Sequence, residues 1–483
     1  MNVVWWRLRT SNPAKGGNVL GEFDSHTPPP FFYCWLALFR IGYNKALFWL
    51  WTGSVRLMGG FCKKPLLLLL FLLLFFTPLF SLFPQSRHIG PTSRWGDYLT
   101  LRVALIGPGD ELYFWWGHIG LVVEDSRADR ARLFDWGVFS FDQDNFFVNF
   151  AFGRLIYSCM VFWADLSFDA YIRENRSITL LTLDLPSEVK EAIVLIAEEN
   201  VLPENRDYYY HHFDDNCATR IRDIIDIVLD GQFSAEFGQM PGRFTLRQHI
   251  RRHTWFNPVI DWALNFWMGQ NIDEPIMVWE EMFLPSELAK RLLEFRFTDA
   301  DGNERYIVSS VEYLFTAVDR PIVRNTPINL WPGALLVSLL FCEIILLFYL
   351  LWGKRKGFRI FLGTINSFLG FLFGVAGSML FFMMFFTDHD YTFNNINIVF
   401  ANPLFLLAIP LGITFGFNKN AEKRLSAGRR LRVLWTYVFL GSLFTIVLRF
   451  FPAFFQENHV TQALIIPLAL TMIFLTTKLK QRF

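Results

Sequence analysis

Apolar and polar positions along the chain fall into distinct regimes. Past Leu330 the apolar residues form long runs, at about 330–352, 358–386, 398–417, 432–454 and 461–477, each long enough to cross a bilayer as a helix. Residues 88–325 instead mix short alternating runs with amphipathic stretches, the pattern of a soluble α+β domain. Within it, Tyr98–Ile106, Trp115–Val123, Leu133–Phe139 and Ser177–Leu185 read as strands. Pro186-Ser187-Glu188 opens an amphipathic helix to about Asn200. A second helix runs from Ala218 to Leu229, with Asp215 or Asn216 as its N-cap and Cys217 in its first turn.

The N-terminal part is less regular. Residues 1–57 hold a Pro/Gly-rich polar stretch and an apolar run from Phe31 to Trp51, broken by Arg40 and Lys45, which reads as an interfacial segment. Residues 58–87 carry Lys63-Lys64 ahead of an apolar Leu66–Phe83, the form of a signal peptide or signal anchor. Without a small-x-small cleavage site near Ser86, a retained anchor is expected. The domains are therefore 1–57, 58–87, 88–325 and a membrane region at 326–483.

Composition agrees: 53% of the 483 residues are hydrophobic and only 18% charged, against about 25% charged in an average soluble domain. A net charge of +1 gives no reason to expect nucleic acid as a partner. Charge placement says more. The loops with Lys354, Arg355, Lys356 and Arg359, with Lys419 to Arg432, and with Lys478, Lys480 and Arg482 are basic, while Thr387–Asn397 and Gln456–Gln462 contain no Lys or Arg. The alternation puts the basic loops and the C-terminus in the cytoplasm, and the 88–325 domain across the membrane.

The five cysteines show no paired spacing, so no zinc site or disulfide framework is signalled, and no cofactor is implied. Only Cys159 and Cys217 fall in the soluble part; a disulfide between them would exclude a Cys217 nucleophile. A helix N-terminus favours thiolate, and His118, at the start of an apolar strand after Gly117, can serve as its base. Asp135 on the neighbouring strand is the candidate to orient the imidazole. His211 and His212 compete for the base role; taken with His118 they lack metal-ligand spacing. Gly107-Pro108-Gly109 has no following Lys-Ser/Thr and does not read as a phosphate loop. Arg220 and Arg222 cannot share a helix face: one is expected to point to the site and hold an anionic group such as a lipid phosphate, the other to lie on the surface. Asn216 is grouped with them in substrate binding. The polar Thr387–Asn397 loop, with His389, Asn395 and Asn397, either lines a lipid-entry groove facing the soluble domain or is an ordinary solvated loop.

These residues resemble a known family. Gly117-His118, Phe134-Asp135-Trp136-Gly137, Pro203-Glu204-Asn205-Arg206, Asp215-Asn216-Cys217-Ala218-Thr219-Arg220, Glu280-Glu281-Met282-Phe283-Leu284-Pro285 and Asp388-His389 through Asn402-Pro403 are similar to the Lnb-type bacterial lipoprotein N-acyltransferases, over roughly residues 95–410. The resemblance implies a permuted papain-like (NlpC-type) fold, His118 as base and Cys217 as nucleophile. It also implies a diacyl lipoprotein acceptor, whose N-terminal cysteine amine is acylated at the bacterial inner membrane; a thioester on Cys217 would let the site take that acyl chain from a phospholipid, the expected donor. Asp135 stands where the family commonly has asparagine. A rival of the same fold, an extracytoplasmic cysteine peptidase or amidase acting on cell-wall peptide, needs the same Cys and His but no membrane bundle; a non-catalytic membrane scaffold needs neither.

Overall fold

A computed structural model describes residues 94–140 and 145–480; the expected N-terminal extension and signal anchor lie outside them. Seven strands form one antiparallel sheet in the order β6-β4-β3-β2-β1-β5-β9. They are β1 (Leu99–Ile106), β2 (His118–Asp125), β3 (Arg132–Val138), β4 (Ile156–Trp163), β5 (Ile178–Leu183), β6 (Asp207–Tyr209) and β9 (Val308–Phe315); β7 (Arg296–Thr298) and β8 (Glu304–Tyr306) make a separate hairpin. Helices α1 (Phe146–Ala151), α2 (Ala164–Arg173), α3 (Ser187–Asn200) and α4 (Cys217–Val228) are interleaved with the strands, followed by α5 (Gln232–Phe237), α6 (Leu246–Thr254), α7 (Pro258–Trp267), α8 (Val278–Glu281) and α9 (Pro285–Glu294).

The sheet is covered on both faces because its strands carry apolar residues on both. Leu101, Val103, Ile119, Leu121, Phe134 and Trp136 share a core with Ile193 and Val194 of α3 and Ile221, Ile224 and Ile225 of α4. The opposite face, with Ala104, Val122, Leu133 and Leu180, is closed by Ala164, Phe168 and Tyr171 of α2. Strand β4, absent from the sequence reading, joins β3 to β6; its exposed Phe162 and Trp163 disguise the alternation that would have marked it.

Among the described residues, five helical segments are long and apolar enough to cross a membrane: α10 (Trp331–Trp352), α11 (Lys356–Phe386), the segment Ile396–Phe417 that ends in α12 (Ala408–Phe417), α13 (Ala421–Leu448) and α14 (His459–Lys480). The expected fourth stretch, 432–454, is corrected at both ends. Asn420 caps α13, accepting from the Lys423 amide, so the basic residues from Lys423 to Arg432 lie inside the helix; the chain leaves the helix at Arg449, ahead of Pro452. Inside the bundle, Trp435 Nε1 donates to Asn366 Oδ1 at 2.7 Å, both residues being fully buried.

A polar seam joins the soluble domain to the bundle. Asn395 Nδ2 donates to the carbonyls of Phe266 and Met268 at 2.9 and 3.1 Å, Asn397 Nδ2 to that of Phe266 at 3.0 Å, and Gln456 Nε2 to that of Met268 at 3.1 Å. These amides satisfy the open carbonyls at the end of α7, which would otherwise be buried without partners. Arg251 of α6 pairs with Glu457 at 2.9 Å.

Candidate functional site

Cys217 is the first residue of α4, and its position is set by the cap before it. Asn216 Oδ1 accepts from the amides of Ala218 and Thr219 at 2.8 and 3.1 Å, while Thr219 Oγ1 accepts from the Asn216 amide at 2.8 Å, a reciprocal capping box. Asn216 Nδ2 donates to the carbonyls of His212 and Phe283 at 2.8 and 3.0 Å, tying the helix start to the chain on both sides. The amide of Cys217 itself has no partner among the described hydrogen bonds. It therefore remains beside the sulfur as a donor for a developing oxyanion.

Gly117, at φ +77°, turns the chain into β2 so that His118 opens the strand. His118 Nε2 lies 2.7 Å from Asp135 Oδ1, which leaves Nδ1 for the cysteine. Asp135, buried on β3, is also approached by the Tyr171 hydroxyl of α2 at 3.4 Å. Between Trp136 and Val138 the β3–β4 register shifts, and Gly137 takes φ +117°. A Cβ there would stand 3.7 Å from His118 Cε1 and 3.8 Å from Cys217 Cβ, so this bulge floors the pair.

Burial alone would lower the His118 pKa. The charges of Asp135 and Cys217, with hydrogen bonds to both, more than offset it and raise the imidazole to about 10. The ring is therefore a cation at neutral pH, placed between a carboxylate and a sulfur. On another side of Cys217, Tyr157 and Tyr210 stack with ring centroids 4.1 Å apart. Burial, and then the charge of Cys217, push the Tyr157 hydroxyl up to about 12 and raise Tyr210 as well. An arrangement of this kind can make and break a thioester: a sulfur nucleophile, an oriented proton carrier and a backbone donor in an apolar wall.

The structure thus brings Cys217, His118 and Asp135 together. Cys159 and Cys217 are not bonded; Cys159 is buried in the core, and burial pushes its thiol up. His211 faces away, with Nε2 at 2.9 Å from Asp390 and Nδ1 accepting from the Asp214 amide at 3.0 Å. His211, Asp214 and Asp390 have ligand atoms within 4.8 Å of one another, but both ring nitrogens are already engaged in hydrogen bonds. His212 packs against Tyr210 and Tyr391.

Neither arginine follows its expectation. Arg220 Nη2 pairs with Asp215 Oδ2 at 2.6 Å and stacks on Tyr208, while Arg222 bonds Asp223 and the Trp279 carbonyl and is buried rather than on the surface. A helix packed on most of its circumference commits both guanidinium groups to partners within the domain. The side chains grouped in substrate binding are also committed: Asn216 to the cap, Asn395 and Asn397 to the seam, and His389 Nε2 to the Phe150 carbonyl at 2.9 Å. The Thr387–Asn397 loop is in part solvated, with Asp388, Asp390 and Asn394 exposed, while its buried residues form the joint between soluble domain and bundle.

Sequence reasoning missed Tyr157, Tyr171, Tyr210 and Gly137. Tyr157 and Tyr171 sit on elements it left unread, whereas the Tyr208-Tyr209-Tyr210 run reads in the sequence as a strand or a loop and is given no place at the site.

Fold and site together define a membrane protein that carries a cysteine–histidine–aspartate cluster on a soluble α+β domain. Two family models match it: the Lnb N-terminal periplasmic domain over residues 96–252 and the Lnb transmembrane domain over residues 326–480. The chain belongs to the Lnb family, with a periplasmic domain ahead of the five helices, among the described residues, that are long and apolar enough to cross a membrane. No curated protein and no solved structure matches it.

Proposed function

We propose that this chain is a lipoprotein N-acyltransferase of the bacterial inner membrane with a cytoplasmic C-terminus, its periplasmic domain having a permuted papain-like fold. The observation that carries the reading is the Cys217–His118–Asp135 cluster, held by a polar seam directly on a membrane bundle; family membership supports it. In the first half-reaction the Cys217 sulfur attacks an ester carbonyl of a phospholipid. The S–C bond forms, the ester C–O bond breaks, and the lysophospholipid leaves as an alcohol with the proton from His118. The Cys217 amide receives the oxyanion. In the second half-reaction the α-amine of a diacyl lipoprotein's N-terminal cysteine attacks the thioester, His118 takes the amine proton, and the sulfur leaves as thiolate.

The raised imidazole pKa suits this sequence. Part of it comes from the charge of Cys217, and acylation removes that charge. The imidazole pKa then falls, and the ring is ready to accept a proton when the amine arrives. Asp135 orients the ring in both steps.

The test is lipoprotein acylation in a deletion strain, read by mass spectrometry. Loss of the N-linked acyl chain, restored by the wild-type gene and by neither Cys217→Ser nor His118→Ala, is expected. Unchanged lipoproteins with altered muropeptides would instead favour a cell-wall peptidase and contradict the proposal.

A further inference from the structure

Helix α1 is Phe-Phe-Val-Asn-Phe-Ala, without a charge, and presents its apolar side chains outward: Phe147 is 73% exposed, Val148 55% and Phe150 52%. Its height relative to the bundle is fixed. The Phe152 ring meets Phe382 of α11 at 5.6 Å, the Asp388 amide donates to the Phe152 carbonyl at 2.8 Å, and His389 Nε2 bonds the Phe150 carbonyl. Phe382 lies four residues before the end of α11 at Phe386, a depth of roughly 6 Å at the helical rise. The exposed face of α1 is therefore level with the end of a helix long and apolar enough to span a membrane.

From α1 a continuous run of aromatic rings leads inward. Phe150 stacks on Phe146 at 6.1 Å, Phe146 on Phe139 at 6.2 Å, Phe139 meets Tyr157 at 5.0 Å, and Tyr157 stacks on Tyr210 at 4.1 Å. Tyr157 and Tyr210 are the two tyrosines on which the Cys217 charge acts. We propose that α1 dips into the bilayer leaflet facing the periplasmic domain, and that the aromatic run from Phe150 to Tyr210 is the wall along which a lipid acyl chain reaches Cys217. The occupant is the hydrocarbon tail of a bilayer lipid: the run offers π faces and apolar edges, with its only hydroxyls at the sulfur end. The route rests on the acyl-transfer reading above; the insertion of α1 does not.

Two measurements on the full chain, reconstituted in vesicles of phosphatidylethanolamine and phosphatidylglycerol, separate these parts. In the first, a phospholipid with a diazirine at the tail terminus is photolysed and labelled peptides are mapped. Label on residues 146–151 is expected; label confined to α10–α14 overturns the insertion. In the second, acyl loading of Cys217 is followed by intact mass, from vesicle phospholipid and from the water-soluble p-nitrophenyl acetate, for wild type and the Phe147→Ser/Val148→Ser double variant. Loading from phospholipid should fall about tenfold or more, because the apolar face no longer partitions into lipid, with p-nitrophenyl acetate loading kept within about twofold. Equal loss from both donors, or loss from neither, overturns the route. Wild type loaded by the soluble ester and never by phospholipid would count against the acyl donor, and the photolabelling would still decide the insertion.

Discussion

Replacing Asp135 by asparagine separates charge from hydrogen bonding at the centre of the site. The amide oxygen can still accept from His118 Nε2 across the 2.7 Å contact, so the ring keeps its orientation while the carboxylate charge disappears. With that charge present the imidazole is raised to about 10, and at pH 7.5 it is almost wholly protonated. Without it, burial, the largest single effect, is opposed only by the charge and hydrogen bond of Cys217 and by whatever bond the asparagine keeps, and the pKa falls to the ordinary value near 6.5 or below, where at most roughly one ring in ten is protonated at pH 7.5. If the cation must be in place to protonate the leaving alcohol, the loading rate falls about tenfold or more. Asp135→Ala also removes a charge-assisted hydrogen bond of about 1.5–3 kcal/mol, equivalent to a further loss of at least about tenfold. The assay is single-turnover loading of Cys217 against pH, paired with imidazole NMR of His118. Asparagine at wild-type rate from pH 6 to 9, with the His118 pKa unchanged, would refute the electrostatic role assigned to Asp135.

Capping Cys217 as a methyl disulfide should lower the His118 pKa, because one of the charges that raise it is lost; the same NMR titration reads this. Gly137→Val is expected to cost about 1–3 kcal/mol, since a β-branched residue at φ +117° is strained, and to reduce loading of Cys217 more than it reduces the melting temperature. The folded-state pKa of His118 lies above its unfolded value, so its contribution to stability is complete below pH 6.5 and is lost as pH rises to about 10; thermal melts should show this decline, and His118→Ala should flatten it. Trp435→Phe leaves Asn366 Oδ1 without its 2.7 Å donor and should destabilise the bundle by about 1 kcal/mol, read as a lower melting temperature in detergent with Cys217 loading intact.

Local signals carried much of this architecture. The Asn216 cap, the start of α4 at Cys217 and the opening of β2 by His118 follow from residues adjacent in sequence, and the bilayer spans from long apolar runs. What was hidden depends on contacts between distant segments. Whether Asp135 meets His118 depends on the pairing of β3 with β2, and Tyr171 reaches Asp135 only because α2 closes that face of the sheet. Arg220 and Arg222 looked available on a helical projection, but the projection does not contain Tyr208 or Trp279. Asn395 and Asn397 looked like substrate contacts because amides at a membrane boundary need partners; those partners turned out to be carbonyls at the end of α7.

The account rests on a covalent acyl group at Cys217, and intact mass of the full chain after incubation with phospholipid vesicles reads it directly. Wild type should gain the mass of one fatty acid less one water, mapped to Cys217 and released by hydroxylamine, with no gain in Cys217→Ser. An unmodified Cys217, or an acyl group resistant to hydroxylamine at another residue, would contradict it.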